Sequence, residues 1–240
     1  MNQIEHLKGV GRGKRVFMIG NGPSLDPADL DQIKDEDSIA MNRIAMIYPK
    51  TLWRPSYYVF SSDNCRHYVW GGAWSRSIHE AAWEPKTQPL IWERYREEIE
   101  ARSGVLPSWT VFLDSITEHG AGREESFSKN AEVSIDQSGT TMNVALQLAF
   151  YMEYDEVYLL GCDSNWETAT NTPGTGDPNH FDADYHASIA DGPAEFVRMN
   201  ATHKVARIAF DEAGRTIMNL TKGSALTAYE TGTLEEVVSV

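Results

Sequence analysis

The sequence contains few cysteines and no long apolar run, and each shortage excludes a class of protein. Cys65 and Cys162 are the two cysteines among 240 residues, and they lie far apart in the chain. We therefore expect no disulfide framework and a reduced, cytoplasmic protein. The most apolar window, residues 144–152, is too short to cross a bilayer, so no transmembrane segment is expected. The amino-terminal residues lack the apolar core of a signal peptide.

Positive charge is also scarce. The chain has 21 Lys and Arg against 35 Asp and Glu, which gives a formal net charge of −14 at pH 7. This balance argues against non-specific binding to nucleic acid or to an anionic membrane. A phosphate ligand would have to be held by local amides, a few cations or a metal ion. The length suffices for a full core and no tract is biased towards disorder, so we expect one domain over residues 1–240.

What the sequence does have is an apolar run, residues 16–19, that leads directly into a turn made of Gly20, Asn21, Gly22, Pro23 and Ser24. The run predicts a buried parallel strand. Gly20 and Gly22 allow a sharp turn and the close approach of a ligand, and the turn's amides can cradle a phosphate. Because open α/β sheets bind ligands at the carboxyl ends of their strands, we expect the phosphate end of a nucleotide site here. The plainer alternative is a turn that only joins a strand to a helix.

Two familiar phosphate-binding motifs are excluded at this turn. The dinucleotide fingerprint needs a third glycine at the position where Leu25 stands. The P-loop needs a Gly-Lys-Ser/Thr run after the strand, whereas Gly13, Lys14 and Arg15 precede the strand. A nucleotide site at this turn therefore belongs to another class.

Two further predicted strands also end in polar residues. Residues 38–41 end at Asn42, and residues 57–60 run into a polar segment that contains Asp63. Side chains in these positions are typical of a site at the carboxyl edge of a sheet, and ordinary turn chemistry is the alternative for both. A helix start is predicted between the first two strands, with Asp26 as its cap.

A second informative block runs from residue 138 to residue 166. Thr140 and Thr141 supply hydroxyls and amides at the start of an apolar helix, which is followed by an apolar strand over residues 156–160. A helix followed at once by a strand favours a crossover connection and a parallel sheet. The helix start can meet an anion, and Asp163, just past the strand, can hold a ribose hydroxyl or a hydrated metal ion. A simple strand-ending turn is the alternative for Asp163.

Residues 164–192 form a long polar segment, which predicts an active-site lid. The segment carries His180 and His186 among acidic and aromatic residues, and either histidine could act as a general base. Metal ligation with Asp182 or Asp184 is an alternative, although the spacing is typical of no particular metal. Ordinary solvated histidines are the third interpretation.

The remaining elements are predicted from periodicity. Residues 93–102 favour a helix, residues 109–113 a strand, and residues 216–218 a last strand. Residues 193–213 predict a long helix that ends near Gly214. Its apolar residues suited to one buried face are Phe196, Val197, Val205, Ile208 and Ala209.

Three stretches together resemble a known superfamily. The segment from Gly20 to Leu25 matches the opening motif of the bacterial sialyltransferases of glycosyltransferase family forty-two and, more loosely, that of the MptE-like 6-hydroxymethylpterin diphosphokinases and related surface-polysaccharide proteins. The block that ends in Asp163 is similar to the second motif of both groups. His180-Phe181 and the tail from Asn219 to Ser224 resemble the MptE-like pattern.

The resemblance implies an α/β fold, with a Rossmann-like, mostly parallel sheet, helices on both faces and a lid, that binds a nucleotide. In the sialyltransferases the nucleotide is CMP on an activated sialic acid, and the base is a lid histidine, here His180 or His186. Asp163 would lie near the ribose, and Thr140 and Thr141 on the cytidine or phosphate side. The residues implied for the phosphate and for the second strand's site are Asn21, Gly22, Ser24 and Asn42.

Three functions follow as hypotheses. The first is glycosyl transfer from a nucleotide-activated sugar to a small-molecule or glycan acceptor, with no metal required. The second is pyrophosphoryl transfer from ATP to a pterin-like alcohol, with Mg²⁺ held by Asp63 and Asp163. The third is a non-catalytic nucleotide-binding protein of surface-polysaccharide assembly. The sequence leaves a homo-oligomer open.

Overall fold

The structure of the 240-residue chain is a computed structural model. The structure describes residues 4–61, 72–117, 126–137, 140–165, 176–185 and 193–239. The predicted site residues Asp63 and His186 lie outside the described residues, as does most of the predicted lid. The described part of the lid comprises residues 164, 165 and 176–185.

Eight strands form one sheet, and every neighbouring pair in it is parallel. In chain order the strands are β1 Arg15–Ile19, β2 Ser38–Met41, β3 Tyr57–Phe60, β4 Gln88–Trp92, β5 Val111–Leu113, β8 Glu156–Leu160, β9 Thr216–Asn219 and β10 Glu230–Thr231. A separate parallel pair consists of β6 Ile116–Thr117 and β7 Ile135–Asp136. The predicted Rossmann-like α/β class with a mostly parallel sheet is therefore confirmed.

Helices pack around this sheet. They are α1 Pro27–Gln32, α2 Gly72–Ala82, α3 Arg96–Ser103, α4 Thr141–Tyr151, α5 Pro193–Glu212 and α6 Leu234–Val238, with short 3₁₀ helices at Glu5–Leu7, Ile44–Lys50 and Glu93–Tyr95. Every residue of α4 is buried, because α4 packs against α5 and β7 as well as against β1, β2 and β3. None of the described helices is long and apolar enough to cross a membrane.

The order of strands places a crevice beside β1. The sheet runs β10-β9-β8-β1-β2-β3-β4-β5, so the chain extends from β1 in one direction and later returns to the other side of β1 as β8. β1 and β8 pair along their whole length, from Arg15↔Glu156 to Ile19↔Leu160. Ligands of open α/β sheets bind where the strand order reverses in this way, outside the carboxyl ends of the strands.

Local signals predicted from the sequence are confirmed at several helix ends. The Asp26 side chain accepts a hydrogen bond from the Ala28 amide at 2.8 Å and caps α1, with Pro27 in its first position. Gly214 has a φ of +69° just after α5. The Arg215 amide there donates to the Phe210 carbonyl at 2.9 Å, which is the hydrogen bond of a Schellman end.

One predicted core position on α5 is wrong. Ile208 is 56% exposed, whereas Ala206, Ala209 and Phe210 are buried. The buried face of α5 is centred on these three residues, which are spaced as one side of a helix requires. Ile208 lies beside Arg207 on the solvent-exposed side of the helix, so its apolar side chain does not mark a core position.

Candidate functional site

The loops that follow β1 and β8 are hydrogen-bonded directly to each other. The Gly20 amide donates to the Leu160 carbonyl at 2.8 Å, and the Gly22 amide donates to the Gly161 carbonyl at 2.9 Å. These bonds continue the β1–β8 ladder past the ends of both strands. The structure thus brings the glycine turn and the Gly161–Asp163 segment together at one point of the sheet edge.

The close approach of the two loops needs glycine at three positions. A Cβ atom added to Gly20 would lie 2.3 Å from the Gly161 carbonyl oxygen, and one added to Gly22 would lie 1.8 Å from Asp163 Oδ2. Both distances are far below van der Waals contact. Gly161 itself has a φ of +66°, which residues with a side chain rarely adopt. The glycines therefore allow the two loops to touch.

The Asp163 carboxylate binds Ser24, the last residue of the glycine turn. The Ser24 amide donates to Asp163 Oδ1 at 3.2 Å, and the Ser24 hydroxyl donates to Oδ2 at 2.9 Å. Burial raises the pKa of Asp163 above its ordinary value, although the Ser24 hydrogen bonds and the nearby His180 act in the opposite direction. The donors of Ser24 are thus engaged by a carboxylate, as those of Gly20 and Gly22 are engaged by carbonyls. Their first role in this structure is to join the two loops.

The tail after β9 holds the Cys162–Asp163 backbone in place. The Thr221 hydroxyl accepts from the Cys162 amide at 2.9 Å, and the Ser224 hydroxyl donates to the Cys162 carbonyl at 2.6 Å. Burial raises the pKa of the Cys162 thiol to about 12, which fits a packing thiol. Lys222 is exposed beside these contacts. The tail that resembles the MptE-like pattern therefore acts, in this chain, as a clamp behind Asp163.

Asn21 connects the glycine turn to the end of β2. Its Nδ2 donates to the Met41 carbonyl at 3.2 Å, and its Oδ1 is buried with no hydrogen-bond partner among the described residues. A buried carbonyl oxygen without a donor costs free energy, so an unpaired Oδ1 is suited to a ligand that donates a hydrogen bond.

Asn42 and the start of α4 lie on the same side of the crevice. Asn42 has a φ of +54°, and the Tyr58 hydroxyl holds its carbonyl at 2.7 Å. The Thr141 hydroxyl lies 3.4 Å from Asn42 Oδ1, and Thr140 caps α4 by accepting from the Met142 amide at 3.2 Å. The positive end of the α4 dipole thus faces the predicted site.

The described part of the lid is docked on the sheet edge. The Phe181 amide donates to the Asn21 carbonyl at 3.0 Å, and Lys50 lies 3.3 Å from an Asp182 carboxylate oxygen. Within the lid, the Asp177 amide donates to the Ala183 carbonyl at 2.9 Å. Residues 176–185 contain turns and bends but no helix or strand, and this internal hydrogen bond helps to fold them back on themselves.

His180 forms a hydrogen-bonded pair with Asp177. The distance from His180 Nδ1 to Asp177 Oδ2 is 2.8 Å, and the two side chains are 12% and 0% exposed. The Tyr185 ring stacks on the imidazole at 3.9 Å with 4° between the planes. A buried carboxylate on Nδ1 fixes the orientation of the imidazole, and an imidazole held in this way can act as a general base.

Sequence reasoning missed Asp177 and Arg43. Asp177 stands three residues before His180 in an Asp-Pro-Asn turn, and its Oδ1 accepts from the Asn179 amide at 2.9 Å. This turn chemistry was the available signal. Arg43 directly follows Asn42, and its guanidinium donates to the Asp184 carbonyl at 3.1 Å. A cation just past a strand end was its signal.

The predicted metal ligands stay untested as sets, because Asp63 and His186 lie outside the described residues. Among the described residues, no group of three or more His, Cys, Asp and Glu side chains is arranged to hold a metal ion. His180 pairs with Asp177 rather than with Asp182 or Asp184. Magnesium ligation by Asp63 and Asp163 stays a prediction, since Asp63 lies outside the described part of the chain.

Comparison with known proteins identifies the fold. No family model matches the sequence, and no curated protein sequence matches it. Among solved structures, the chain is similar to the MAf glycosyltransferase from Magnetospirillum magneticum AMB-1, with a TM-score of 0.56 and 16% identity. The similarity covers 98% of this chain and 38% of that chain. The chain therefore shares the fold of the matched part of that neighbour and spans well under half of its length.

Proposed function

We propose that this protein transfers a glycosyl group from a nucleotide-activated sugar, with a CMP-sialic-acid-like donor, to a hydroxyl of a small-molecule or glycan acceptor. The observation that carries the proposal is the Asp177–His180 pair, which is docked through Phe181 on the turn at the β1–β8 crevice. It supplies a general base where α/β sheets bind nucleotides.

The chemistry assigned to this pair is a single displacement. The Asp177 carboxylate holds Nδ1 of His180, so Nε2 is the nitrogen that takes the proton of the acceptor hydroxyl. The acceptor oxygen forms a bond to the anomeric carbon of the donor sugar. The bond from that carbon to the phosphate oxygen breaks, and the nucleotide leaves with the electron pair. Asp177 stabilises the imidazolium that results.

We assign the leaving phosphate to the start of α4 rather than to the amides of the glycine turn. The donors of Gly20, Gly22 and Ser24 are engaged across the β1–β8 junction, and Asp163 adds a carboxylate beside them. The helix start at Thr140–Thr141 offers a positive dipole end and the Thr141 hydroxyl beside Asn42.

Two acceptor groups suit the hydroxyls of a nucleotide sugar. Asp163 accepts from Ser24, yet a carboxylate has about four lone-pair sites, so it can also accept from a ribose hydroxyl. Asn21 Oδ1 is the second acceptor. The MAf structural neighbour is named a glycosyltransferase, and this supports the proposal of glycosyl transfer by analogy at the level of the fold.

Donor hydrolysis tests the base. With CMP-sialic acid as the donor, we expect His180→Ala to lower turnover by roughly 10²–10⁴-fold, the range for a general base. His6→Ala is the matched control, because His6 is exposed on a 3₁₀ helix far from the lid in sequence. His186→Ala tests the second lid histidine separately. Unchanged turnover in His180→Ala would contradict its role.

A thermal-shift panel of CMP, CDP, UDP, GDP and ATP, each with and without Mg²⁺, tests the donor. A nucleotide at about 100 times its Kd adds about 2.7 kcal/mol to the free energy of unfolding. Metal-independent stabilisation by CMP or CDP supports the proposal. Mg²⁺-dependent stabilisation by ATP alone would contradict it and favour pyrophosphoryl transfer. Nucleotide binding without turnover of any nucleotide sugar would favour a non-catalytic protein.

A further inference from the structure

Arg43 and Tyr185 form a clasp between the end of β2 and the lid. The Arg43 amide donates to the Tyr185 hydroxyl at 3.2 Å, and the Arg43 guanidinium donates to the backbone carbonyls of Asp184, at 3.1 Å, and of Tyr185. One residue thus holds Tyr185 at its phenolic end and at its backbone. Arg43 is 7% exposed and Tyr185 is 1% exposed, and charge-assisted hydrogen bonds with so little water nearby are strong.

The clasped tyrosine constrains His180 in a direction that Asp177 does not. The hydrogen bond from Nδ1 to Asp177 fixes how the imidazole is rotated within its own plane. The Tyr185 ring, parallel to the imidazole within 4° at a centroid distance of 3.9 Å, fixes the plane itself. The two constraints together leave the imidazole one orientation relative to the end of β2.

We infer that Arg43 and Tyr185 are positioning residues that hold the base of the proposed glycosyl transfer. This inference rests on the proposed role of His180, and neither Arg43 nor Tyr185 is assigned a contact with the reacting atoms. Because Arg43 adjoins Asn42 in the chain, the clasp sets the distance between the base and the part of the crevice where we place the donor. A misplacement of about 1 Å in such a group can cost ~100-fold in rate.

Donor-hydrolysis kinetics provide the first test, in a comparison of Tyr185→Leu, Tyr185→Phe and Arg43→Met. We expect kcat to fall ~100-fold in Tyr185→Leu and Arg43→Met, while the affinity for CMP changes by less than about threefold. Tyr185→Phe keeps the stacked ring and loses one hydrogen bond, so its kcat should stay within about tenfold of wild type. Tyr151→Leu is the matched control, since Tyr151 is 3% exposed and belongs to α4.

Proton NMR of the imidazole provides a second test that needs no activity. A ring stacked face to face moves the ring protons of His180 upfield. In Tyr185→Leu these signals should move downfield, while in Tyr185→Phe and Tyr151→Leu they should stay near their wild-type positions. Because this measurement reports on the stack alone, it tests the geometric part of the inference even in a variant with low activity.

The two proposals fail in different ways. If His180→Ala retains full turnover, the assigned base is wrong, even where the NMR signals respond to Tyr185→Leu as expected. If His180→Ala is inactive while Tyr185→Leu and Arg43→Met keep wild-type kcat, the assignment of His180 as the base is retained. The positioning role of Arg43 and Tyr185 is then overturned. Signals of His180 that are unmoved in Tyr185→Leu would also overturn it.

Discussion

Ser24 donates both its backbone amide and its hydroxyl to the carboxylate of Asp163, across 139 positions of sequence. This pair ties the loop after β1 to the loop after β8 at the reversal point of the sheet. Asp163 is 8% exposed, so little water competes for its oxygens. The Asp163 carboxylate is therefore one of the groups that hold the candidate site together, and its protonation should be measurable in the stability of the fold.

Asp163→Asn should destabilise the protein by about 1–3 kcal/mol, because an amide replaces one of two oxygens that face the donors of Ser24. Burial raises the pKa of Asp163 in the folded state. The folded protein therefore holds this proton more tightly than the unfolded chain, and the carboxyl's contribution to stability falls as the pH rises from about 4 through the folded pKa.

Urea unfolding at several pH values measures this effect. The stability difference between wild type and Asp163→Asn should shrink as the pH rises from about 3 to 7. Asp35→Asn is the control, because the Asp35 side chain is 86% exposed. A difference that stays constant, or grows, over this range would contradict a raised pKa at Asp163.

Gly22→Ala should cost about 1–3 kcal/mol in the free energy of unfolding, since its Cβ would lie 1.8 Å from Asp163 Oδ2 and the two loops would have to separate. Gly223→Ala is the control without a clash, because its Cβ would meet nothing within 4 Å. Any loss of stability in this variant comes from the left-handed φ of +72° alone.

A double-mutant cycle with Asp163→Ala, followed by urea unfolding, isolates the clash at Gly22. If the clash with the carboxylate causes the loss, Gly22→Ala should cost less in the Asp163→Ala background than in wild type. Equal costs in both backgrounds would show that the carboxylate is not what Gly22 accommodates.

His203→Gln should remove a pH dependence on the acid side. His203 is buried in α5 and lies 2.9 Å from the Tyr229 hydroxyl, and burial lowers its pKa to about 4. The folded state keeps this imidazole neutral, so its contribution is full above the unfolded pKa of about 6.5 and is lost as the pH falls towards the folded value.

The slope from this one proton is at most about 1.4 kcal/mol per pH unit. Urea unfolding should show this dependence of the free energy of unfolding on pH, between about pH 6.5 and pH 4, in wild type and in the exposed control His6→Gln. His203→Gln should lack it. An equal slope in all three proteins would argue against a buried neutral His203.

Ile208→Ser should change stability by less than about 0.5 kcal/mol, because Ile208 is 56% exposed on α5. Phe210→Ala, two residues later, should cost about 3–5 kcal/mol, since Phe210 is fully buried and its ring packs edge-on against Phe150 at 5.2 Å. Chemical denaturation of both variants checks the orientation of the helix. Similar losses in the two variants would contradict the face assigned to α5.

Much of the fold could be predicted because its signals are local. Residues 16–19 of β1 are an apolar run buried on both faces, and β8 is buried at Val157, Leu159 and Leu160. The caps at Asp26 and Gly214 are properties of a few neighbouring residues. The strand β4 was missed, because Pro89 within it and the Trp-, Arg- and Glu-rich sequence around it hide a run of four buried residues.

The residues of the candidate site were likewise predicted only in part. The glycine turn and Asp163 were predicted as two polar strand ends, and parallel pairing of β1 with β8 makes those ends neighbours. Asp177 and Arg43 were missed because their roles depend on how residues 176–185 fold back. Asp177 meets His180 through a turn, while Arg43 and Tyr185 meet across 142 positions.

The sequence by itself determined the class of fold, the strands that form its centre and the two loops that meet at its edge, because hydrophobic runs, glycines and caps act over a few residues. Only the tertiary structure decided that Asp163 binds Ser24, that Ile208 faces solvent, and that the lid places His180 between Asp177 and Tyr185. Those contacts join segments that are distant in the chain or fold back on themselves, and their free energy exists only once the sheet has assembled.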